Sequence, residues 1–579
     1  MKKYIFVLLL SSVSLFMYAQ NKSMQVYRNG YVTDVINVSE IDSVKFGELL
    51  LSPSVTASLI DEDVFLTWTK VQKAESYDVF RSTDNINYTV LATGVESESY
   101  TDKEPIYGYN YYKVKASSAK GSSLLSEASS VDTKILDNFS LFQEALIKTC
   151  MNDSLYLTNN ENYTYQGKVE DWKSYASVLI ETPEFCKYGY TVLMESDETF
   201  AKNGINTIDD LITYAELIYY KLFPLPVDPL ESNRIKVDYT DRRNALNRFV
   251  SYHIMDRMLE IDEFILPEWS NFVIPNYPIR EYIEMMMPNS MIEVQKGNFV
   301  NVSMLKDIDN VADRAEMVKI EKRIKGTSNV LFHEINNILT YDKVETNVLN
   351  KRIRINAQSL LSEFATNKYR GIENEDKSVY PSMSIIIPRE YLSSRSKVSF
   401  SENTQFQSEG HFSSSWANMY GDEMLFIGKC DFTITTPPIP AGNWEIRLGY
   451  SISARRDSTQ IYINGKPSGD PIDFRINSTN QLIGWINDFA TKDNGVENDK
   501  QMRENGYMKA PASLKYGEKN TIMRNSRLCL RKIIATQQID TTQPLSIRFE
   551  SLLDSTSQEF MIDYIEFIPV NLIEDEDRN

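Results

Sequence analysis

Strict alternation of apolar and polar residues predicts β-structure in the last third of the chain. In NWEIRLGYSI the apolar side chains recur at every second position, at Trp444, Ile446, Leu448, Tyr450 and Ile452. Successive side chains of a strand point to opposite faces, so this pattern predicts a strand with one face in the core. Trp444 is therefore expected to be a core residue.

Two further stretches extend this β-region. QIYINGKP contains Asn464-Gly465, a strong signal for a two-residue hairpin turn. FMIDYIEFIP, Phe560 to Pro569, is apolar on both faces, which is typical of a central strand. We therefore predict an antiparallel, jelly-roll-like β-sandwich over residues 386–570, preceded by a connector over residues 343–385 and followed by an acidic tail over residues 571–579.

A second β-region covers residues 53–133. In NYYKVKA the residues Tyr112, Val114 and Ala116 alternate with more polar neighbours, which predicts one apolar and one solvated face. Several such short strands in succession are typical of an immunoglobulin-like sandwich. Residues 21–49 are predicted to be a short N-terminal β-segment that turns at Asn29-Gly30.

The sequence of residues 53–133 resembles a fibronectin type III domain. The resemblance is carried by Trp68, by the strands YDVFRS and YYKVKA, and by the Gly-Ser turn before LLSEAS. The sequence departs from the family at Asn110, where a corner tyrosine is usual, and Tyr109 and Tyr111 are the alternative candidates for that role. The resemblance implies a spacer or a binding module.

Helical periodicity begins after residue 136. NFSLFQEALIKTCM has apolar residues at helical spacing, at Leu141, Phe142, Ala145 and Leu146. TVLM then predicts a buried strand. Ser196 is placed to cap the next helix, with Asp197 in its first turn, where a negative charge favours the helix dipole. Gly204 is a suitable end for that helix.

Three motifs in residues 136–342 resemble a fasciclin domain. They are TVLMESDETF, similar to the family's TVFAPTDEAF; Phe249–Ile254, similar to the stretch around its Tyr-His pair; and NVLFHEINNIL, similar to its closing strand. The departures are Met194-Glu195 for Ala-Pro, Val330 for Gly and Asn336 for Asp. The resemblance implies an α+β domain and, from animal relatives, an association with cell adhesion.

The C-terminal region resembles that of multidomain fasciclin-containing proteins of Bacteroidetes. The similar motifs are TPPIPAGNWEIRLGY, QLIGWINDF, QMRENGYMKAP and EFMIDYIEFIP. Such regions look similar to carbohydrate-binding sandwich modules, a likeness of architecture that does not itself give a ligand. The resulting fold class is multidomain and mainly β: an immunoglobulin-like sandwich, then a fasciclin α+β domain, then a jelly-roll-like β-sandwich.

His253 is one of 3 histidines in the chain, and its rarity suggests catalysis or metal binding. On a helical wheel it shares one narrow apolar face with Leu246 and Phe249. The favoured interpretation is a core histidine hydrogen-bonded to backbone or to another motif, and His333, in an apolar strand, is interpreted in the same way. The alternative is a ligand contact, for which Tyr252 is expected to be the more exposed residue.

Aromatic residues in loops of the C-terminal region are the other candidates for ligand contact. They are Trp416, Tyr420, Trp485 and Tyr507. Aromatic faces with Asp, Asn and Glu nearby are suited to stacking on a sugar and binding its hydroxyls. The alternative is that these aromatic side chains fill the edges of the sandwich.

Charge and cysteine count narrow the possible partners. The formal net charge is −19 and no basic run is segregated, which disfavours nucleic acid and anionic lipid as partners.

The four cysteines allow the pairs 150–186 and 430–529 or four unlinked buried thiols, and none has zinc-ligand spacing. No metal or cofactor is expected. No GxSxG, GKS/T or HExxH motif is present, so no enzyme is expected either.

The first 20 residues, MKKYIFVLLLSSVSLFMYAQ, have the layout of a secretory signal peptide. The apolar run is too short to span a bilayer, and no later stretch is as long as a membrane-spanning helix. No cysteine lies near the cleavage point, so a lipoprotein is not expected. The periplasm, the cell surface and the medium all remain open as destinations.

Together these features predict an exported, non-enzymatic adhesion or binding protein of the bacterial cell envelope, with a protein or glycan ligand. The alternative is an accessory carbohydrate-binding protein of a glycan-uptake system, which binds through the C-terminal sandwich. The sequence leaves the oligomeric state open.

Overall fold

A computed structural model of the protein describes residues 23–28, 31–37, 48–60, 63–106, 108–133, 138–165, 178–180, 183–370, 382–411, 418–516 and 521–576. The described structure is mainly β, with several sheets and few helices. It divides into two compact units. The first comprises the described residues of Met1–Ile60, Val64–Asp102 and Tyr111–Val131, and the second those of Asp61–Asp63, Lys103–Asn110 and Asp132–Asn579.

From Ser23 to Asp132, the residues that the structure describes form eleven strands. They are β1 (Ser23–Arg28), β2 (Tyr31–Asn37), β3 (Glu48–Leu49), β4 (Val55–Ile60), β5 (Asp63–Trp68), β6 (Ser76–Ser82), β7 (Thr89–Val95), β8 (Ser99–Asp102), β9 (Tyr109–Ser118), β10 (Gly121–Ser122) and β11 (Ser129–Asp132). β1 and β2 pair antiparallel, so the short N-terminal strands are present. The predicted turn residues between them, Asn29 and Gly30, lie outside the described residues.

Two sheets of the first unit share one core. One has the order β4-β5-β8, and the other has the order β3-β10-β9-β6-β7 with β11 paired to β9. Buried side chains from both sheets form a single cluster that includes Leu66, Trp68, Tyr77 and Val114. Apart from the parallel pair β3 and β10, the printed strand pairs of these sheets are antiparallel, and two such sheets packed over a common core make this a fibronectin-like β domain.

Strand β9 confirms the predicted alternation, since burial alternates along it from Asn110 to Ala116. Asn110 stands where a corner tyrosine was expected. Its Nδ2 donates to the carbonyl oxygens of Ile106 and Gly108, and its Oδ1 accepts from the Ile106 N–H. Asn110 thus ties the strand to the preceding turn, and the Thr133 hydroxyl donates to the same two carbonyl oxygens.

Between residues 138 and 342, the described part of the second unit contains eight strands and seven α-helices. They are α1 (Ser140–Lys148), α2 (Met151–Ser154), β12 (Val178–Ile180), β13 (Tyr190–Glu195), α3 (Asp197–Lys202), α4 (Ile208–Leu222), α5 (Pro229–Val237), α6 (Ala245–Ser251), β14 (Ile254–Met255), β15 (Arg280–Glu284), β16 (Met291–Gln295), β17 (Phe299–Val300), α7 (Val311–Ala315), β18 (Val318–Gly326) and β19 (Val330–Ile335). Seven strands form one sheet in the order β14-β13-β19-β18-β17-β16-β15, in which β13 and β19 are parallel.

Local sequence signals account for the start of α3 and α4. Ser196 caps α3, because its side chain accepts a hydrogen bond from the Thr199 N–H. Thr207 and Asp210 form a capping box at the start of α4. Helix α1 buries the four apolar residues expected of it, but the residue before it makes no side-chain cap. Its first N–H groups bond instead to a carboxylate distant in sequence, that of Asp197.

Helix α6 ends earlier than the helical pattern suggested, at Ser251. Tyr252 and His253 lie in the following turn, where the Tyr252 backbone keeps helical angles (φ −74°, ψ −9°) and the His253 N–H donates to the Val250 carbonyl. The turn continues the helical path of the backbone beyond Ser251. This preserves the phase that relates His253 to Phe249, although His253 is outside the helix.

The remainder of the second unit consists mostly of strands. Its elements are α8 (Val344–Asn347), β20 (Ile353–Asn356), α9 (Ser362–Thr366), β21 (Ser382–Ile387), β22 (Val398–Phe400), β23 (Thr404–His411), β24 (Asp422–Gly428), β25 (Asp431–Thr435), β26 (Gly442–Ser451), β27 (Ser458–Ile463), β28 (Lys466–Pro467), β29 (Ile472–Asp473), α10 (Val496–Glu504), β30 (Tyr507–Lys509), β31 (Lys515–Tyr516), β32 (Thr521–Ile522), β33 (Cys529–Ile539), β34 (Ser546–Ser551), β35 (Glu559–Ile562), β36 (Tyr564–Pro569) and α11 (Ile573–Glu576). The three larger sheets have the orders β12-β21-β23-β24-β35, β20-β36-β26-β33-β30 and β22-β25-β34-β27-β28.

Two predictions for this region have different outcomes. The hairpin at Asn464-Gly465 is confirmed: β27 pairs with β28, and both turn residues have the positive φ that a tight hairpin turn requires. The stretch Phe560–Pro569 is not one central strand. It breaks at Asp563 into β35, at the edge of one sheet, and β36, which lies between β20 and β26 in another.

The larger of two hydrophobic clusters described in the second unit extends from Phe139 to Phe567, and Trp444 belongs to it as predicted. Strand β20, from the predicted connector, pairs with β36, and β12 pairs with β21. The boundaries at residues 136–342, 343–385 and 386–570 stay predictions.

Candidate functional site

The three motifs of residues 136–342 meet at His253, which is fully buried. Its Nδ1 lies 2.8 Å from the carbonyl oxygen of Phe249, and its Nε2 lies 2.9 Å from Oε1 of Glu195. The same Glu195 oxygen accepts the N–H of Leu339 at 3.0 Å. His253 is thus held by the backbone of its own turn and by a carboxylate of the first motif, with no surface open to a ligand.

The other motif residues also have internal partners. Asp197 accepts the backbone N–H groups of Ser140 and Leu141 at the start of α1, so it joins α3 to α1. The ring of Phe249 packs 4.5 Å from that of His253, centroid to centroid. His333 is buried with Nε2 2.8 Å from the Leu259 carbonyl oxygen, and burial lowers its pKa.

The exposure expected for Tyr252 is wrong, because its side chain is fully buried. Its hydroxyl donates to the Met291 carbonyl and accepts from the Asn301 amide, and burial raises its pKa. The turn after α6 directs this side chain inward. As folded, Tyr252 offers no surface to a ligand.

Two of the predicted aromatic contacts are buried. Tyr420 stacks on Trp269, which lies outside residues 386–570, with ring centroids 4.3 Å apart, and its backbone has the left-handed φ of 61°. Tyr507 is buried beneath the Lys532 ammonium, which lies 4.1 Å from the ring centroid. Tyr507 corresponds to the alternative in which aromatic residues fill the sandwich, whereas Tyr420 packs against residues that precede it. Trp416 lies outside the described residues.

Trp485 lies in a more accessible segment, residues 481–495, which we call the anchored loop. The indole ring is half-buried, and its buried Nε1 has no hydrogen-bond partner among the residues that the structure describes. Three apolar side chains of the same loop are exposed, Leu482, Ile486 and Phe489, the last of them to 81%. The loop therefore combines a partly covered indole with an open aromatic ring.

Asp488 fixes the anchored loop to the body of the sandwich. Its carboxylate accepts from Lys509 Nζ and from Arg524 Nε, each at 2.6 Å, and both cations are buried. Burial alone would raise the pKa of Asp488, but the hydrogen bonds from Lys509 and Arg524 outweigh it and lower the pKa. The residue before Phe489 is thus an ionised anchor.

Two asparagines hold the backbone of the anchored loop. Asn498 of α10 donates to the Gly484 carbonyl at 2.6 Å and accepts from the Ile486 N–H at 3.1 Å. Asn505 donates to the Gln481 carbonyl at 3.3 Å. Because the loop is fixed, binding a partner there would cost little ordering entropy. Exposed apolar side chains on such a segment indicate a contact surface.

Sequence reasoning identified Trp485 but missed Phe489, four residues further on. The motif QLIGWINDF contained the signal, since it places a second aromatic residue in the same loop. The anchor could not be found in this way, because Asp488 pairs with residues 21 and 36 positions away.

All four cysteines are described and free: Cys150 is exposed, and Cys186, Cys430 and Cys529 are buried. The pairs 150–186 and 430–529 are therefore not formed, and three of the four thiols are buried.

Among the described residues, no group of three or more His, Cys, Asp and Glu side chains could hold a metal ion. In that same part of the chain, no helix has the length and apolar character needed to cross a bilayer.

A buried carboxylate at the start of β24 makes stability depend on pH. Asp422 is buried and accepts from Asn356 Nδ2 at 2.6 Å, and burial raises its pKa from 3.8 to about 7. Its contribution to stability is therefore full below pH 3.8 and is lost as the pH rises through 7. Relative to the wild type, Asp422→Asn should gain stability between pH 4 and 8, by up to about 4 kcal/mol.

Denaturant unfolding of both proteins at pH 4.5 and pH 8 measures this gain. Asp554→Asn, at an exposed position, is the control and should show the same difference from the wild type at both pH values. A pH-independent difference for Asp422→Asn would contradict the raised pKa.

No protein-family model matches this chain, and no curated protein matches it. Solved structures with similar parts include a Fn3-like protein from Clostridium thermocellum, at 30% identity over 16% of this chain and 97% of that chain, with a TM-score of 0.14. A beta-1,2-glucanase from Parabacteroides distasonis is 23% identical over 19% of this chain and 16% of its own, with a TM-score of 0.15. A pectate lyase from Erwinia chrysanthemi is 18% identical over 14% and 28%, with a TM-score of 0.13. The chain spans less than a third of either enzyme, and likenesses of this size assign it no function.

Proposed function

We propose that this chain is an exported, non-enzymatic binding protein of the bacterial cell envelope whose ligand, a protein or a glycan, is bound by the anchored loop. The observation that carries this proposal is Phe489, which is exposed to 81% directly after the buried anchor Asp488. Apolar surface that is held rigidly in water gains free energy only when a partner covers it. Export is proposed from residues 1–20, which lie outside the described structure.

The proposal includes a fasciclin-like α+β domain over residues 136–342, with an adhesive role, and a jelly-roll-like sandwich over residues 386–570. The contact between the motif strands supports the fasciclin-like part. β13 and β19 run parallel in continuous register, from Tyr190 opposite Val330 to Glu195 opposite Ile335, and β14 pairs with the other edge of β13.

A second candidate function is that of an accessory carbohydrate-binding protein of a glycan-uptake system. The aromatic character of the anchored loop favours it, since Trp485 and Phe489 lie four residues apart on a fixed backbone. An exposed aromatic ring such as that of Phe489 can stack on the apolar face of a sugar. The two candidates share the binding surface and differ in the ligand.

Binding by the full-length protein, tested against a glycan array and against intact cells, distinguishes them. Phe489→Ser is expected to reduce binding at least about tenfold, because a central aromatic contact typically contributes 2 kcal/mol or more. Leu230→Ser is the matched control, since Leu230 on α5 is also exposed to 81%. Retention by a glycan favours the carbohydrate-binding function, and binding to cells or protein alone favours adhesion.

Three results would contradict the proposal. If Phe489→Ser binds every ligand as the wild type does, the anchored loop is not the contact surface. If Leu230→Ser loses binding and Phe489→Ser keeps it, the contact surface lies in the fasciclin-like part. Hydrolysis of any glycan by the wild type would overturn the non-enzymatic function.

A further inference from the structure

A separate cavity of about 120 Å³ lies between β15, β20 and the turn at Met419–Tyr420. Four of its lining residues are cationic: Arg280, Lys351, Arg352 and Arg354. None of the described residues that line it carries a carboxylate. In a chain of net charge −19, four positive side chains around one cavity form a local field opposite in sign to the whole.

The cationic side chains differ in their exposed fraction, from the most buried at the floor of the cavity to the most exposed at its rim. The side chain of Arg354 is 5% exposed, that of Lys351 13%, and that of Arg280 28%. Carboxylates behind the wall position them: Glu566 lies 2.6 Å from Arg354, and Glu293 lies 2.5 Å from Lys351. The cationic groups are thus fixed in place by residues that do not occupy the cavity.

Tyr277 reports the electrostatic field inside the cavity. Its hydroxyl accepts from Arg352 Nη2 at 2.9 Å and from Arg354 Nη1 at 3.2 Å. Burial alone would raise the pKa of Tyr277, but the guanidinium groups of Arg354, Arg352 and Arg280 outweigh burial and lower it to about 8. A phenol that ionises this easily lies in a positive potential, and a bound anion would experience the same potential.

We propose that this cationic cavity binds a small oxyanion, a carboxylate, sulfate or phosphate group, through the guanidinium groups of Arg352 and Arg354. Guanidinium forks match the geometry of these groups and make charge-assisted hydrogen bonds to them. A cavity of this volume holds about four waters, enough for the oxyanion but not for a large carrier. The anion is either free or carried by an acidic ligand that extends past the rim at Arg280. This site is independent of the anchored loop and goes beyond the proposed function.

Calorimetric titration of the full-length protein with sodium sulfate and sodium phosphate, at ionic strength matched with chloride, tests the site directly. Arg352→Gln is expected to weaken binding at least about tenfold, the value of one charge-assisted hydrogen bond. Lys202→Gln is the matched control, because it removes one exposed cation, paired only at the surface with Glu198, and should bind as the wild type does. Glucuronate-bearing and sulfated oligosaccharides distinguish the sources: tighter binding than the inorganic ion indicates an acidic glycan, and equal binding indicates the free anion.

The ultraviolet absorbance of tyrosinate gives a second readout that is specific to the cavity. The groups facing Tyr277 are Arg280, Arg352 and Arg354, the phenols of Tyr282 and Tyr420, whose pKa values burial raises well above 10, and the hydroxyl of Ser513. One phenol should titrate near pH 8 in the wild type and be missing in Tyr277→Phe. A bound oxyanion should move that titration upward by about one pH unit.

Three outcomes would overturn the proposal. They are the absence of heat with any oxyanion at millimolar concentration, equal binding by the wild type and Arg352→Gln, and a Tyr277 titration that sulfate does not move. The last two would mean that the anions act on the protein surface in general.

Discussion

Replacement of Glu566 by glutamine is expected to lower the free energy of unfolding by about 3–5 kcal/mol, the usual cost of leaving buried charges without their partner. Glu566 lies on β36 and is fully buried. Three buried guanidinium groups surround its carboxylate: Arg354 at 2.6 Å, Arg531 at 3.3 Å and Arg447 at 3.7 Å. Glutamine keeps the size of the side chain but removes the charge that these three residues share.

The protonation of Glu566 shows how strongly the network depends on that charge. Burial by itself would raise its pKa, but Arg354, Arg531 and Arg447 together hold the pKa far below its usual range. A depressed pKa means that the stabilisation is present above pH 4.5 and is lost as the pH falls toward the folded-state value. The stability difference between the wild type and Glu566→Gln should therefore be largest near neutral pH and shrink below pH 4.5.

Equilibrium unfolding in denaturant at pH 7 and pH 3.5 measures both effects. Asp431→Asn is the matched control, because Asp431 also pairs with an arginine from a neighbouring strand, Arg548 at 2.8 Å, but both side chains are more than one-third exposed. Its cost should stay within about 1 kcal/mol, as for other surface ion pairs. If the two variants lose equal stability at pH 7, the buried network does not hold the sheet together.

The same network marks the limit of what the hydrophobic pattern could predict. Alternation along NWEIRLGYSI correctly placed Trp444 in the core. It could not show that Glu445 and Arg447, on the opposite face, are buried as well, with Arg447 Nε 2.6 Å from Glu445 Oε1. A charged residue on a strand has the same sequence pattern whether water or another layer covers it. One partner of Arg447, Glu566, is more than a hundred residues away and is brought near only by folding.

Three predictions that depend only on residues close together in the sequence are confirmed. The N-cap at Ser196, the apolar stripe of α1 and the hairpin turn at Asn464-Gly465 depend on neighbouring residues, and all three are present. The break at Asp563 was missed, because it separates strands that belong to two sheets and both halves are apolar. Of the candidate site, the pattern identified Trp485, whereas its anchor and the cationic cavity depend on contacts distant in sequence.

The second large effect is expected at His253, whose position depends on both local and long-range contacts. Helical phase placed it beside Leu246 and Phe249, and all three are buried. A carbonyl oxygen only accepts, so Nδ1 donates to Phe249, while Nε2 lies 2.9 Å from Oε1 of Glu195. That partner came from a departure in the first motif, the glutamate at position 195. Both ring nitrogens thus have a partner, as a buried imidazole requires.

Substitution of His253 by alanine is expected to lower the free energy of unfolding by about 3 kcal/mol or more, since it opens a cavity and leaves the Glu195 carboxyl without its side-chain partner. His333→Ala is the matched control: that histidine is also buried, but its Nε2 meets a backbone carbonyl and no carboxylate. Both should lose the packing contribution, and His253→Ala should lose at least about 1 kcal/mol more. Thermal and denaturant unfolding of the two variants measure the difference.

A second substitution separates the polar contribution from the cavity. Adding Glu195→Gln to His253→Ala removes the buried carboxyl but not the cavity, so the double variant should be more stable than His253→Ala alone by about 1 kcal/mol. Unchanged stability in His253→Ala together with loss of ligand binding would instead make His253 a contact residue. The core role would then be wrong, even though the side chain lies inside the fold, because the bound form would have to open the turn after α6.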